Sequence, residues 1–97
     1  MYNNQKIIEV GIKAIATYGI ESQVDKAIEE MSELTKALLK ERRCCGSRAA
    51  VCEEIADVYI MLLQMMLIFE EKKKIAECID YKIKRLEKRI LGGTDDE

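Results

Sequence analysis

The fold is decided by residues 47–70, which read SRAAVCEEIADVYIMLLQMMLIFE. From Val51 onward, apolar side chains stand at almost every position, so a helix formed here has hardly any polar side. A helix that is apolar all round must be covered all round. Three partner helices from a chain of 97 residues can hardly cover it. The stretch therefore predicts an all-α protein whose helical bundle is an obligate dimer or a larger assembly.

The rest of the chain predicts three more helices, which complete a four-helix unit. Asn3 and Ser47 are suited to cap the first and third helices, and Gly19 is suited to end the first. We expect one all-α domain over residues 1–91 and a disordered acidic tail over residues 92–97. Hydrophobic periodicity places the four helices at about Asn4–Tyr18, Ser22–Arg42, Ser47–Glu70 and Lys74–Leu91, the last being stopped by Gly92 and Gly93.

The composition limits the chemistry and indicates a compartment. Histidine is absent, which removes imidazole bases and imidazole metal ligands, so any reaction must use carboxylates, lysines, arginines and metal-bound water. The cysteine spacing, with Cys44 next to Cys45, matches neither a disulfide framework nor a zinc ribbon, and predicts free thiols in a reducing cytoplasm. The most apolar stretch, residues 58–69, is too short to span a membrane. The net charge of −2 gives no support to nucleic-acid binding.

Two pairs of carboxylates stand at helical i,i+3 spacing in neighbouring segments. Glu30 and Glu33 belong to the second helix, and Glu54 and Asp57 belong to the third. Residues three apart share one face of a helix, so four acids converge if the two helices pack side by side. A hard divalent cation such as Mg²⁺ is the simplest partner for such a group. The alternative is a solvated or salt-bridged surface.

A basic row follows in the fourth helix, where Lys82, Arg85 and Arg89 flank the apolar face. Such residues commonly lay their stems over apolar surface and keep their charge in water, which is the alternative reading. Together with the acids, the row favours a polyphosphate ligand, because Mg²⁺ bridges phosphate oxygens and basic side chains neutralise the remaining charge.

The acidic segments in this order, Glu29-Glu30-x-x-Glu33 and Glu54-x-x-Asp57, resemble those of the MazG-like group of all-α nucleoside triphosphate pyrophosphohydrolases. The likeness includes Tyr18-Gly19, Gln23 and Leu34, the run Ala56-Asp57-Val58 and the later row Lys82-x-x-Arg85-x-x-x-Arg89. It covers about residues 18–89. The resemblance implies a four-helix unit that forms a homodimer, often a dimer of dimers and so a homotetramer.

The resemblance also implies a reaction and roles for individual residues. A nucleoside or deoxynucleoside triphosphate would be cleaved between the α- and β-phosphates to a monophosphate and pyrophosphate. Glu30, Glu33, Glu54 and Asp57 would bind Mg²⁺, with Mn²⁺ as a possible substitute. Glu29 or Glu53 would orient the attacking water. The substrate would be bound by Lys82, Arg85, Arg89 and Gln23.

Two other functions stay open at this point. Phosphoribosyl-ATP pyrophosphohydrolase of histidine biosynthesis is another small all-α enzyme with similar acidic segments, and it breaks the same kind of bond. A non-catalytic helical assembly module would carry the same acids as mere surface. Magnesium separates the second alternative from an enzyme, because a protein with a metal site gains stability on binding the ion.

Overall fold

The computed structural model describes residues 3–92 and contains four α-helices joined by short turns. No strand occurs in that range, so the predicted all-α class with four helices is confirmed. Residues 93–97, which hold Gly93 and nearly all of the predicted tail, lie outside the described residues. The helices are α1 (Asn4–Tyr18), α2 (Ile20–Arg42), α3 (Arg48–Phe69) and α4 (Lys72–Ile90).

The helix ends follow local capping chemistry. The Asn3 side chain accepts a hydrogen bond from the backbone N–H of Gln5 at 2.9 Å, and the Ser47 hydroxyl accepts one from Ala50 at 3.1 Å. Both predicted N-caps are therefore confirmed. Gly19 has a φ of 92°, a conformation that glycine adopts without steric cost. This one residue redirects the chain, and α2 consequently begins at Ile20 rather than at the predicted Ser22.

The core lies along the seam between α2 and α3, and α1 packs across α3 and, less extensively, α2. Among the described residues the buried side chains are few, and half of them are polar: Gln23 and Gln64 are 7% and 5% exposed, beside Ala27 and Met61. The Gln23 amide Nε2 donates a hydrogen bond of 2.7 Å to Gln64 Oε1 across the seam. This bond satisfies polar groups that would otherwise destabilise the interior.

The fourth helix does not pack against α1 or α2 to complete a four-helix bundle. α4 begins at Lys72, two residues earlier than predicted, after a link of only Glu70 and Glu71. Glu70 adopts left-handed backbone angles, with a φ of 52° and a ψ of 37°. Among the described helices, α4 contacts α3 alone, and sparsely. The apolar face of α4 is consequently exposed at Ile79, Ile83, Leu86 and Ile90.

The chain exposes far more surface than a closed monomer. A folded monomer of 11.1 kDa exposes about 5,700 Å² by the usual scaling of surface with mass, whereas this chain exposes 7788 Å². Its radius of gyration of 16.3 Å exceeds the roughly 12.5 Å expected for this length. Apolar side chains of α3 contribute to the excess, because Ile55, Leu62 and Phe69 are exposed. One chain therefore covers only part of the helix that the sequence predicts to be covered all round.

Two further expectations concern the cysteines and the membrane. All four cysteines are exposed, and each is a free thiol. None of the described helices combines the length and the apolar content that crossing a bilayer requires.

Candidate metal centre

Three carboxylates from α2 and α3 meet at the seam between these helices. One oxygen each from Glu30, Glu54 and Asp57 lies within 4.8 Å of the other two. All three residues are half-buried. Like charges this close repel one another, and solvent screens that repulsion less at half-buried positions. The structure therefore brings together three of the four predicted metal ligands.

The register of the two helices aligns these acids. α2 and α3 form a hairpin, and Gln23 precedes Glu30 by seven residues while Gln64 follows Asp57 by seven. Seven residues make about two helical turns, or roughly 10.5 Å. The buried Gln23–Gln64 hydrogen bond and the acidic group thus lie at two levels of the same seam. A slip of one turn between the helices would separate Glu30 from Asp57.

Glu54 is the acid of this group whose surroundings least favour an uncompensated negative charge. Its Oε1 atom is inaccessible to solvent and has no hydrogen-bond partner among the described residues. Desolvation raises the pKa of the Glu54 carboxyl above its ordinary value of 4.5, and the charges of Asp57, Glu30 and Glu33 raise it further. A buried, unpartnered carboxylate oxygen is unfavourable until a proton or a cation compensates it. The donor set therefore fits an oxygen-preferring divalent ion such as Mg²⁺ or Mn²⁺.

Glu33, the fourth predicted ligand, lies at the edge of this group. It forms an ion pair with Lys36 at 3.4 Å, one turn further along α2. Its oxygens are not among those within 4.8 Å of one another. Its charge nevertheless contributes to the raised pKa of Glu54, so it lies close enough to act on the group electrostatically.

Lys26 is a neighbour of the acids that the sequence analysis did not single out. Its Nζ atom lies 3.3 Å from Glu29 Oε1 and 3.9 Å from Glu30 Oε2. The hydrogen bond to Glu29 is the main cause that raises the pKa of the Lys26 ammonium, and the charges of Glu29, Glu30 and Asp57 add to it. The available signal was its position, three and four residues before two acids on one helix face.

The two residues predicted to orient water lie outside the group of three. Glu29 is exposed, pairs with Lys26, and lines an open pocket of about 610 Å³ beside Tyr18, Gln23 and Met61. Glu53 is also exposed, and its charge contributes weakly to the raised pKa of Glu54. Both carboxylates are therefore near the acids and accessible to water.

The residues predicted to bind substrate are divided between two places. Gln23 lines the same pocket, but its Nε2 atom is engaged by Gln64. Lys82, Arg85 and Arg89 lie on α4, which does not pack against α2. The Arg85 guanidinium stands 5.8 Å from the centre of the Tyr81 ring on its own helix. Within residues 3–92, the packing of the helices therefore leaves the basic row on a helix that does not contact α2.

The geometry thus places three carboxylates next to Lys26 and Glu29, which line the open pocket. Three carboxylates leave part of the coordination shell of Mg²⁺ for water and ligand oxygens, which is how this ion usually binds in proteins that act on phosphates.

The chain was compared with protein-family models, with curated proteins and with solved structures. It has no match in any of the three.

Proposed function

We propose that this protein is a Mg²⁺-dependent pyrophosphohydrolase of nucleoside or deoxynucleoside triphosphates. The observation that carries the proposal is the unpartnered, solvent-inaccessible Oε1 of Glu54, a residue that also contributes an oxygen to the group with Glu30 and Asp57. A surface patch of acids would leave each oxygen hydrated, whereas a carboxylate oxygen shielded from water is stabilised by a proton or by a bound cation. The resemblance of both acidic segments to those of MazG-like enzymes supports a triphosphate as the ligand.

In the proposed reaction some of the acids bind the metal and others orient the attacking water. Glu30, Glu54 and Asp57 would hold the metal, with Glu33 at the edge of the site. A bound divalent ion supplies charge stabilisation for the phosphate oxygens. Glu29 or Glu53 accepts a hydrogen bond from a water molecule and orients it toward the α-phosphorus. The water oxygen forms a bond to that phosphorus as its proton passes to the same carboxylate, the bond to the bridging oxygen breaks, and pyrophosphate leaves with the electron pair.

We further propose that the working unit is a homodimer or a dimer of dimers, located in the cytoplasm. The chain exposes roughly 2,100 Å² more than a closed monomer of its mass, and each partner in a stable interface of standard size buries about 800 Å². The exposed apolar faces of α3 and α4 provide the surface for this contact. Four exposed thiols favour a reducing compartment.

Dimerisation also offers a route for the basic row to reach the substrate. A second copy whose α4 packs on the exposed side of α3 would bring its own Lys82, Arg85 and Arg89 to the helix that carries Glu54 and Asp57. Mixing two inactive variants tests this. When Asp57→Asn and Arg85→Ala chains re-form dimers at random, half of the dimers contain one chain of each kind. If the row acts between copies, one of the two sites in such a dimer combines intact acids with an intact row, so about a quarter of all sites should be active. No recovery is expected if both groups act within one chain.

The decisive experiment measures pyrophosphate release with Mg²⁺ from the standard ribo- and deoxyribonucleoside triphosphates and from phosphoribosyl-ATP. Release from one or more triphosphates supports the proposal. Turnover of phosphoribosyl-ATP alone would assign the histidine-biosynthetic activity instead. The absence of any turnover, together with a melting temperature that Mg²⁺ does not change, would leave the assembly module as the explanation.

A further inference from the structure

Lys26 occupies the border between the acidic group and the open pocket. Its ammonium approaches Glu30, a proposed metal ligand, to 3.9 Å, while the charge of Asp57, a second ligand, also acts on it. Its side chain lines the pocket together with Tyr18, Ser22 and Asp25. The Lys26 ammonium therefore lies next to both the proposed metal ligands and the open pocket.

An ammonium and a divalent cation at these distances oppose each other. Lys26 neutralises part of the charge that attracts a metal, and a bound dication in turn repels Lys26. We propose that Lys26 competes with the metal for the acids in the free protein, and that metal binding releases its ammonium into the pocket to bind a substrate phosphate. The second half of this inference rests on the proposed function.

The contacts of Lys26 are suited to such an exchange. Its side chain is 51% exposed, and exposed ion pairs are weak enough to break and re-form readily. The four-carbon stem of lysine allows the ammonium to move several ångströms without any change in the helix. Glu29, its nearest partner at 3.3 Å, lines the same pocket and lies outside the group of three acids. The Lys26 ammonium can therefore move away from Glu30 while it stays in the pocket.

The test compares Lys26→Gln with Lys84→Gln by calorimetric titration of Mg²⁺ alone. Lys84 is a matched control, because it also pairs with an acid on its own helix, Asp80 at 3.1 Å, but lies on α4, which does not pack against α2. We expect Lys26→Gln to bind Mg²⁺ about three- to tenfold more tightly than the wild-type protein, since a competing cation has been removed. Lys84→Gln should change the affinity less than twofold, and Lys26→Arg, which keeps the charge, should stay near the wild-type value.

Kinetics then test the second role. Lys26→Gln should raise the KM for the triphosphate about tenfold, the loss expected for one charge-assisted hydrogen bond at an accessible site, and leave kcat within about threefold. Equal or weaker Mg²⁺ binding by Lys26→Gln, or equal tightening in Lys84→Gln, would overturn the competition. An unchanged KM would overturn the phosphate contact. A wild-type protein that binds no Mg²⁺ would instead refute the proposed metal site itself.

Discussion

Replacing Ile83 by glutamate tests the proposed assembly at the middle of the exposed face of α4. Ile83 is 58% exposed in one chain. Full burial of an isoleucine side chain stabilises by about 1.5–3 kcal/mol, so covering the remaining surface contributes roughly 1–2 kcal/mol. A symmetric dimer contains the residue twice, and the interface therefore loses about 2–4 kcal/mol. This corresponds to a dissociation constant raised by roughly 30- to 1,000-fold.

Sedimentation velocity over a dilution series measures this change directly, with circular dichroism as a check that the helices remain. Lys84→Gln is the matched control. It also lowers the net charge by one, but Lys84 is exposed and pairs with Asp80 on another side of α4. The control should dissociate like the wild-type protein. A monomeric wild-type protein at all concentrations, or an Ile83→Glu variant that associates as tightly as the control, would refute the assignment of α4 to the interface.

The remaining predictions concern the acids and one backbone position. Asp57→Asn should lower pyrophosphate release at least 100-fold and abolish stabilisation by Mg²⁺ in a thermal melt, whereas Asp80→Asn should leave both unchanged. Glu54 has a raised pKa in the folded chain, so the folded chain binds the Glu54 proton more tightly than the unfolded chain does. Without metal, stability should therefore rise as the pH falls from neutral toward 4.5, as denaturant titrations would show. That rise should be lost in Glu54→Gln and kept in Glu53→Gln; a rise retained in the former contradicts the assignment. Glu70→Gly should stabilise the chain by about 0.5–1 kcal/mol in urea unfolding, because glycine tolerates the left-handed angles of Glu70; a destabilised variant would contradict this.

Local patterns were sufficient to predict the helices and most of the acidic group. The caps at Asn3 and Ser47 are properties of a few neighbouring residues, and the spacing of Glu54 and Asp57 fixes a shared face on one helix. Joining them to Glu30 required only that consecutive helices pack together, which a short turn favours. These features depend on contacts close in sequence or on the commonest arrangement of adjacent helices.

The sequence did not predict which helix surfaces pack against each other, or in which register. The periodicity of α4 indicates an apolar face, but it does not say whether that face covers its own chain or another. The partner of Gln23 is Gln64, 41 residues away, and the register between two helices is not visible in the pattern of either one. The spacing of Lys26 from Glu29 and Glu30 is visible in the sequence, but its position near Asp57 of the neighbouring helix is not.

The separation of α4 from α1–α3 has a consequence for how such a protein can diversify. The acids depend on the alignment of α2 with α3, while the basic row is carried by a helix that contributes little to that alignment. Substitutions in α4 can therefore alter the cationic side of the proposed site without disturbing the acidic side. Selection can adjust the preference for a ligand and the retention of a metal as two largely independent traits.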